Sequence, residues 1–320
     1  MSDLDLGIVI VNWNTRDLLR DCLRSVFASE NVTFRVIVVD NASWDKSAEM
    51  VRAEFPAVEV IANAENRGFP QANNQGFRVL GFEQGCTDNT PRYALALNPD
   101  TVLPPSALAD MVHYMDADAT IGAAGPKLVM LDGKLDLACR RSFPTPAISF
   151  YRMVGLSKLF PRSKRFGRYN MTYLDPDTET EVDSVVGAFM LVRRAAIQRV
   201  GLFDESYFMY GEDLDWAYRI KQAGWKVMYN PQVTVTHVKR AASRQSKRAQ
   251  TDFYRAMLIF YYQHYRATTA WPLHSLIMLG IAVKGGRAIW PYLLNTKALL
   301  TETALATATK TTPPTPSPRT

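Results

Sequence analysis

The sequence is poor in the residues that build disulfides and zinc sites. Its 320 residues include four histidines and three cysteines, Cys22, Cys86 and Cys139. The cysteines are odd in number, lie far apart and show no CxxC spacing, so a disulfide framework and a zinc ribbon are both excluded. This cysteine usage favours a reducing compartment.

Long apolar runs are also scarce. The stretch from Ala267 to Val283 has no charge but contains Pro272 and His274, and it falls short of the roughly 20 apolar residues that span a bilayer. It predicts an interfacial amphipathic segment instead. At the N-terminus, Ser2–Asp5 supplies no basic region before the apolar run Leu6–Val11, so no secretory signal is expected.

Glycine-rich phosphate-binding loops are missing as well. No GxGxxG follows the first apolar run and no GxxxxGK[ST] occurs, which excludes the usual dinucleotide and P-loop sites. Phosphate groups would have to be bound by carboxylates that hold a divalent cation, together with side-chain cations.

What the sequence does have is the composition of a folded chain with an uneven charge. Its 47% hydrophobic and 21% charged residues exclude wholesale disorder. Residues 219–320 carry 15 Lys+Arg against 2 Asp+Glu, a balance of +13, whereas residues 1–218 have a balance of −7. The basic end is expected to face an anionic partner: nucleic acid, an acidic membrane surface or a phosphorylated substrate.

The first hundred residues alternate short β-branched runs with helical stretches. These runs are 6–11, 18–27, 34–39, 47–55, 58–62, 71–82, 93–97 and 106–115. Such βαβα repetition, with strands that are apolar throughout, predicts an α/β fold with a mostly parallel sheet between helices.

Polar residues follow four consecutive strands of this sheet, at 12–14, 40–43, 66–69 and 98–100. The carboxyl ends of parallel strands are where such sheets bind ligands. Asp40 and Asp100 come directly after buried strands, where a carboxylate is costly unless it meets a ligand, a metal or backbone N–H groups. Each alone could simply cap the next helix or turn, but together they favour a functional site.

A cluster of three carboxylates, Glu212, Asp213 and Asp215, follows the aromatic run Tyr207–Tyr210 at a helix start. Asp213 and Asp215 point to different faces of the helix, so one carboxylate is expected to be solvated. The helix dipole by itself favours acidic residues in a first turn. The aromatic residues beside them favour a general base, because an apolar wall raises a carboxyl pKa.

His237 ends a predicted strand, 233–238, and a basic run follows it. A lone histidine is more often structural than a ligand, and a basic run is often a solvated face. A histidine followed by cations is also what a diphosphate leaving group needs near its metal. The run consists of Lys239, Arg240, Arg244, Lys247 and Arg248.

The rest of the second half is less regular. Residues 121–131 and 182–192 are predicted strands and 211–223 a helix, whereas 140–177 is predicted as a long loop with one helix and no assigned role. From 253 to 294 the chain is aromatic and apolar with scattered basic residues. The last twenty residues, with eight Thr and four Pro, are predicted to be disordered.

Taken together, the motifs resemble family 2 glycosyltransferases, most of all the bacterial rhamnosyltransferase-like branch, over about residues 6–250. Six motifs recur in the family's order, which is far more specific than any one of them. They are Val11–Asn14, Val38–Ser43, Asn66–Phe69 with Asn73 and Asn74, Leu97–Asp100, Gly187–Met190, and Phe203–Glu205 leading into Gly211–Trp216.

The resemblance implies a GT-A fold, a mixed and mostly parallel sheet flanked by helices, with a C-terminal amphipathic helical extension. It implies a glycosyltransferase domain over 1–250, with a nucleotide-binding half at about 1–120 and an acceptor half at about 121–250. Residues 251–300 would be a membrane-associating helical segment and 301–320 a disordered tail.

The resemblance also implies roles on the donor side. Asn12 and Asp40 would contact the base and ribose, and Asn66 and Arg67 would lie beside the nucleotide. Asn98 and Asp100 stand where the family usually has Asp-x-Asp, and Asn98 departs from that pattern. Asp100 would hold Mg²⁺ or Mn²⁺ on the diphosphate, together with His237.

On the acceptor side, the resemblance makes Asp213 the general base. Glu212 and Trp216 would line the acceptor site, and Gly187 and Ala188 would leave it open. Pro70 and Gln71 replace the small residues that the family commonly has between Gly68-Phe69 and Asn73-Asn74.

We therefore expect an inverting glycosyltransferase that transfers a sugar, L-rhamnose from dTDP-rhamnose, to a lipid-linked or cell-surface glycan. The expected partners are the nucleotide sugar, a polyprenyl-diphosphate-linked or glycan acceptor and an anionic membrane surface, with no nucleic acid. The expected location is cytoplasmic, at the inner face of the cell membrane.

Two other functions are compatible with parts of the sequence. A sugar-phosphate nucleotidyltransferase would share the βαβ half but needs a basic, glycine-rich loop after the first strand, which residues 12–19 lack. A non-catalytic adaptor for membranes or nucleic acid would use the basic C-terminal third and bind in a salt-sensitive way without turnover. It would leave Asp40, Asp100 and Asp213 unexplained.

Overall fold

The computed structural model describes residues 4–82, 90–238, 247–295 and 299, without the side chains of 247 and 248. Cys86, the predicted disordered tail at 301–320 and the side chains of the basic run after His237 lie outside the described residues.

Nine strands in the described residues form one mixed sheet, in the order β3-β2-β1-β4-β8-β6-β9-β5, and β7 pairs with β9. The strands are β1 Leu6–Asn12, β2 Phe34–Asp40, β3 Glu59–Ala62, β4 Tyr93–Leu97, β5 Thr101–Val102, β6 Ile121–Val129, β7 Thr180–Glu181, β8 Phe189–Arg193 and β9 Lys226–His237.

Helices flank the sheet in the same part of the chain. They are α1 Arg16–Phe27, α2 Ser47–Glu54, α3 Phe69–Val79, α4 Ala107–Ala117, α5 Pro146–Met153, α6 Leu156–Leu159, α7 Arg194–Val200, α8 Glu212–Gln222, α9 Lys247–His264, α10 Trp271–Gly285 and α11 Trp290–Leu294.

The N-terminal half confirms the predicted βαβα pattern. β1 pairs in parallel with both β2 and β4, and β2 pairs in parallel with β3. Every residue of β1 and of β4 is buried, as expected for strands covered on both faces. The first three predicted strand ends therefore meet at one edge of the sheet.

The second half departs from the parallel pattern. β8 lies between β4 and β6 and is antiparallel to both, so it joins the two halves into one sheet. β6 and β9 are parallel, with register shifts, and β5 pairs antiparallel with β9. The register of that last pair places Thr101 opposite His237.

Two predictions for this half are corrected, and three short elements were missed. The strand predicted at 182–192 is confined to Phe189–Arg193, because 182–188 leaves the sheet to contact α8 through Ser184 and Gly187. Segment 140–177 contains two helices, α5 and α6, where one was predicted. The short strands β5 and β7 and the helix α7 were not predicted, since two to seven residues carry too little periodicity.

Three helices, α9 to α11, follow the sheet, and α10 packs against α5 and α9. Within the described residues, no helix combines the length and the apolar character needed to cross a membrane.

Candidate active site

The ends of β1 and β2 are tied together by their polar side chains. Asn12 donates from Nδ2 to Oδ1 of Asp40 (3.0 Å) and to Oγ of Ser43 (3.1 Å). The second carboxylate oxygen of Asp40 accepts from the backbone N–H of Ser43 at 3.0 Å. Both predicted nucleotide contacts are thus brought together, buried and already hydrogen-bonded, as a carboxylate at a strand end requires.

The loop before α3 is fixed to the same edge. Asn41 donates from Nδ2 to Oδ1 of Asn66 (3.2 Å) and to the carbonyl of Gly68 (3.1 Å). The adjacent Arg67 has a buried Nε with no hydrogen-bond partner among the described residues. A buried guanidinium nitrogen without an acceptor suits an anionic ligand.

Asp100, His237 and Asp136 form a chain of charged groups beside these strand ends. His237 Nε2 lies 3.2 Å from Asp100 Oδ1, and its Nδ1 lies 2.9 Å from Asp136 Oδ2. Burial lowers the pKa of the imidazole, but the hydrogen bonds to the two carboxylates outweigh it and raise the pKa of His237 to about 9. The structure thus brings together Asp100 and His237, the two residues predicted to bind the metal.

Asp100 and His237 could supply part of the ligand set of a divalent cation. Within the described residues, no group of three or more His, Cys, Asp or Glu side chains could hold a metal ion by itself. Asp100 would offer a carboxylate oxygen, and His237 would offer Nε2 after releasing the proton that its raised pKa retains, while Asp136 supports the far side of the imidazole as carboxylates do behind metal-binding histidines. A cation with two protein ligands takes its remaining ligands from phosphate oxygens and water.

Gly187 and Ala188 connect this donor edge to the predicted base. The carbonyl of Ala188 accepts from the backbone N–H of Asn98 at 3.0 Å. The backbone N–H of Gly187 donates to Asp213 Oδ2 at 2.9 Å. A Cβ added to Gly187 would lie 3.3 Å from the ring of Phe69 and 3.7 Å from Asp213. The absence of a side chain therefore leaves the space between these two residues open.

Asp213 is held in a buried ion pair with Arg141. Arg141 donates from Nη2 to Asp213 Oδ2 (2.7 Å) and to the carbonyl of Val185 (2.9 Å). Both side chains are at most 10% exposed. Arg141 fixes the position of the carboxylate.

Glu212 is buried next to this ion pair. Its Oε2 has no hydrogen-bond partner among the described residues. Burial, and then the charge of Asp213, raises the pKa of Glu212 to about 8. Glu212 therefore carries a proton at neutral pH, whereas Asp213 has a cationic partner.

The expectation that one carboxylate of this cluster is solvated is wrong. Asp215 is 2% exposed, and its two oxygens bind Arg219 at 2.8 Å and His264 Nε2 at 2.8 Å. Asp215 does point away from Asp213, as the helical spacing predicts, but it points into a second ion-pair network that anchors α9. A buried charge is tolerated there because both oxygens are paired.

Trp216 is not brought to this site. Its side chain is fully buried, its ring centroid lies 4.2 Å from that of Phe203, and its indole N–H donates to the carbonyl of Gly201 at 2.9 Å. The spacing between Glu212 and Trp216 places them one turn apart, but the Trp216 ring packs into the core. The structure thus gives Trp216 a packing position instead of an acceptor contact.

Two charged residues of the site were not singled out from the sequence. Arg141 lies in the segment to which no role was assigned, and Asp136 follows a hairpin at 130–134. The only local signal is the Arg140-Arg141 pair before a Pro-rich stretch. Their roles depend on contacts 72 and 101 residues away in the chain, which no local pattern encodes.

The fold is that of GT-A glycosyltransferases. A mannosyltransferase from Pyrobaculum calidifontis, solved with GDP-Man and Mn²⁺, has a TM-score of 0.55 at 18% identity, covering 94% of this chain and 75% of that one. GalNAc-T7, solved with UDP, GalNAc and Mn²⁺, has a TM-score of 0.55 at 17% identity, covering 84% of this chain and 52% of that one.

Sequence comparison gives the family. The family model described as glycosyltransferase like family 2 matches residues 5–253, so the chain belongs to that family. An N-acetylglucosaminyl-diphospho-decaprenol L-rhamnosyltransferase of Mycobacterium tuberculosis is 28% identical over 241 residues, 75% of this chain and 77% of that protein. Rhamnosyltransferase WbbL of Escherichia coli K12 is 26% identical over 236 residues, 72% and 82% of the two chains.

Proposed function

We propose that this glycosyltransferase moves L-rhamnose from dTDP-rhamnose to a polyprenyl-diphosphate-linked or cell-surface glycan with inversion at the anomeric carbon, Asp213 acting as the general base. One observation carries the proposal. The loop at Gly187-Ala188 hydrogen-bonds Asn98 on the donor side and Asp213 on the other, so a single short backbone segment joins the two halves of the reaction.

An inverting transfer needs one base, which takes the proton of the acceptor hydroxyl as this oxygen attacks the anomeric carbon opposite the diphosphate. Asp213 suits that task because Arg141 and the Gly187 N–H hold its Oδ2, and among the described residues Oδ1 accepts only from the N–H of Leu214. Glu212, protonated at neutral pH, is a hydrogen-bond donor for an acceptor oxygen. An inverting transfer needs no second carboxylate to form a covalent bond with the sugar.

The leaving diphosphate needs charge neutralisation. Asp100 and His237 would hold a divalent cation, Mg²⁺ or Mn²⁺, which would supply positive charge to the phosphate oxygens. Asn12, Asp40 and Asn66 lie at the strand ends where the nucleoside would bind, and Arg67 would offer its unpaired Nε to a phosphate oxygen. The presence of Mn²⁺ in two fold neighbours supports this assignment.

The named relatives support the sugar and the class of acceptor. Two are rhamnosyltransferases, and one of these acts on an N-acetylglucosaminyl-diphospho-decaprenol by its name. A polyprenyl acceptor lies in a membrane, so we propose that the chain works at the cytoplasmic face of the cell membrane and contacts its anionic lipids. The family assignment favours this function over the adaptor and the nucleotidyltransferase.

The test is a calorimetric panel of UDP-, dTDP- and GDP-sugars against the purified protein, each with and without Mn²⁺ or Mg²⁺. We expect metal-dependent binding of dTDP-rhamnose and weaker binding of the others. Tighter binding of a UDP- or GDP-sugar would overturn the donor assignment. Failure of every nucleotide sugar to bind would count against the transferase function itself.

A further inference from the structure

Helix α10 is apolar around its whole circumference, yet one of its faces has no protein partner among the described residues. Its inner face packs on α5 and α9 through residues such as Ile281. Its outer face exposes Leu276, Leu279 and Val283 by 56%, 61% and 71%. These positions follow helical spacing, so they form one continuous stripe.

The helices α5 and α6 lie beside each other and also expose apolar side chains. α5 packs against α10, and Gly280 lies so close to Met153 that an added Cβ would be 2.4 Å from its sulfur. Four large apolar side chains of this region are exposed, Phe150, Val154, Leu159 and Phe160. Exposed apolar residues concentrated on neighbouring helices indicate an interaction surface.

The same region is strongly basic. No Asp or Glu occurs between Asp136 and Asp175, and six exposed cations lie in that interval. None of the six is paired with a carboxylate in the described part of the chain. They are Arg152, Lys158, Arg162, Lys164, Arg165 and Arg168.

We propose that α5, α6 and the outer face of α10 form one surface that docks on an anionic lipid bilayer. The apolar side chains would enter the acyl boundary, and the six cations would lie at the lipid headgroups. Apolar residues beside unpaired cations are what an anionic interface selects. Two copies of this surface would instead bring like charges together, which disfavours self-association.

The surface starts close to the proposed base. Arg141 binds Asp213, and α5 begins at Pro146, five residues after Arg141. The Cα atoms of Arg141 and Pro146 are therefore at most about 18 Å apart. Docking would therefore bring the site near the headgroup of a lipid-linked acceptor. The proposal names the residues behind the membrane contact of the proposed function, adds α5 and α6 to the C-terminal segment expected from the sequence, and rests on the proposed function for the choice of occupant.

The experiment is co-sedimentation of the full chain with vesicles of phosphatidylcholine alone or with phosphatidylglycerol. We expect binding to the anionic vesicles that weakens with salt. The triple variant Lys158→Gln, Arg162→Gln, Lys164→Gln should lose about fivefold in partition for each charge, roughly 100-fold in all. The double variant Leu276→Ser, Leu279→Ser should lose roughly tenfold or more for each leucine.

Matched controls remove the same groups elsewhere. Arg52→Gln, Lys134→Gln and Arg199→Gln together neutralise three exposed cations, and Leu131→Ser removes an exposed leucine on a turn. Both controls should bind the anionic vesicles like the wild type. Circular dichroism and Tm of every variant establish that it is folded.

Three results would overturn the proposal: no binding of the wild type to anionic vesicles, unchanged binding of the Lys158, Arg162, Lys164 variant, or a lipid-free dimer that Leu276→Ser dissociates. The last result would identify a second copy as the occupant. Calorimetry of dTDP-rhamnose without lipid tests the proposed function separately. Loss of donor binding with intact vesicle binding would refute that function and leave the docking surface standing.

Discussion

The two sides of the site hold their polar side chains by different means. On the donor side, Asn12, Asp40 and Ser43 hydrogen-bond across adjacent parallel strands, and the carboxylate of Asp40 is satisfied by N–H groups. On the acceptor side, the ion pair between Asp213 and Arg141 joins two full charges that are buried.

This difference has an energetic consequence. Removing a neutral donor from a buried hydrogen bond costs about 1–3 kcal/mol, whereas removing one partner of a buried ion pair leaves an uncompensated charge and costs about 3–5 kcal/mol. The acceptor side is therefore where function and stability are coupled.

The largest effect is expected from Asp213→Asn. The amide cannot take a proton from the acceptor, so kcat should fall about 100-fold to 10,000-fold. Donor affinity, measured by calorimetry, should stay at the wild-type value because Asp213 lies outside the nucleotide-binding strand ends. A variant with more than a tenth of wild-type kcat would refute the base assignment.

Arg141→Met should be the most destabilising of the single changes. It leaves Asp213 buried without its cation and should lower the free energy of unfolding by about 3–5 kcal/mol in urea denaturation. The double variant Arg141→Met, Asp213→Asn should recover most of that loss, because no charge remains unpaired. If the two changes are additive, Arg141 and Asp213 are not coupled in the way the structure indicates.

Glu212→Gln should change how stability depends on pH. The folded chain keeps the proton of Glu212 up to about pH 8, whereas the unfolded chain releases it near 4.5, the ordinary pKa. Between these values the folded state binds more protons, so the wild type loses stability as pH rises.

The measurement is Tm against pH for wild type and Glu212→Gln. The variant lacks this group, so its Tm should fall less between pH 5 and pH 8. Parallel curves for the two proteins would contradict the raised pKa of Glu212.

Asp136→Asn tests the support behind His237. The amide removes a charge from Nδ1 and should weaken Mn²⁺ binding about 10-fold to 100-fold, as loss of a carboxylate behind a metal-binding histidine does. Titration of Mn²⁺ followed by electron paramagnetic resonance, with the nucleotide diphosphate present, measures the Mn²⁺ affinity without turnover. Asp132→Asn, four residues away on an exposed turn, is the matched control and should bind Mn²⁺ normally.

The smallest effect is expected from Trp216→Phe. It removes the hydrogen bond to the Gly201 carbonyl and some packing against Phe203, so the free energy of unfolding should fall by about 1–2 kcal/mol. The KM for the acceptor should not change, because the ring lies in the core. A raised acceptor KM with unchanged stability would return Trp216 to the acceptor site.

The sequence predicted those features that depend on the order of the strands and on the residues at their ends. The βαβα pattern predicted β1 to β4, and their polar carboxyl ends predicted that Asn12, Asp40 and Asn66 would share an edge. The pairing of Asp100 with His237 was also anticipated, although it depends on β5, which is two residues long and gave no signal. The same reasoning misplaced Trp216, because helical spacing fixes the direction of a side chain relative to its helix but not what covers it.

By itself, then, the sequence determined the class of fold and the residue types at the strand ends, since both depend on period and on local hydrogen bonding. Only the tertiary structure decided which charges meet. Arg141 and His264 reach the carboxylates of Asp213 and Asp215 across 72 and 49 residues, and Asp136 reaches the imidazole of His237 across 101. Such pairs form because a buried charge must find a partner wherever the fold places one, and that partner is set by packing and not by neighbouring residues in the chain.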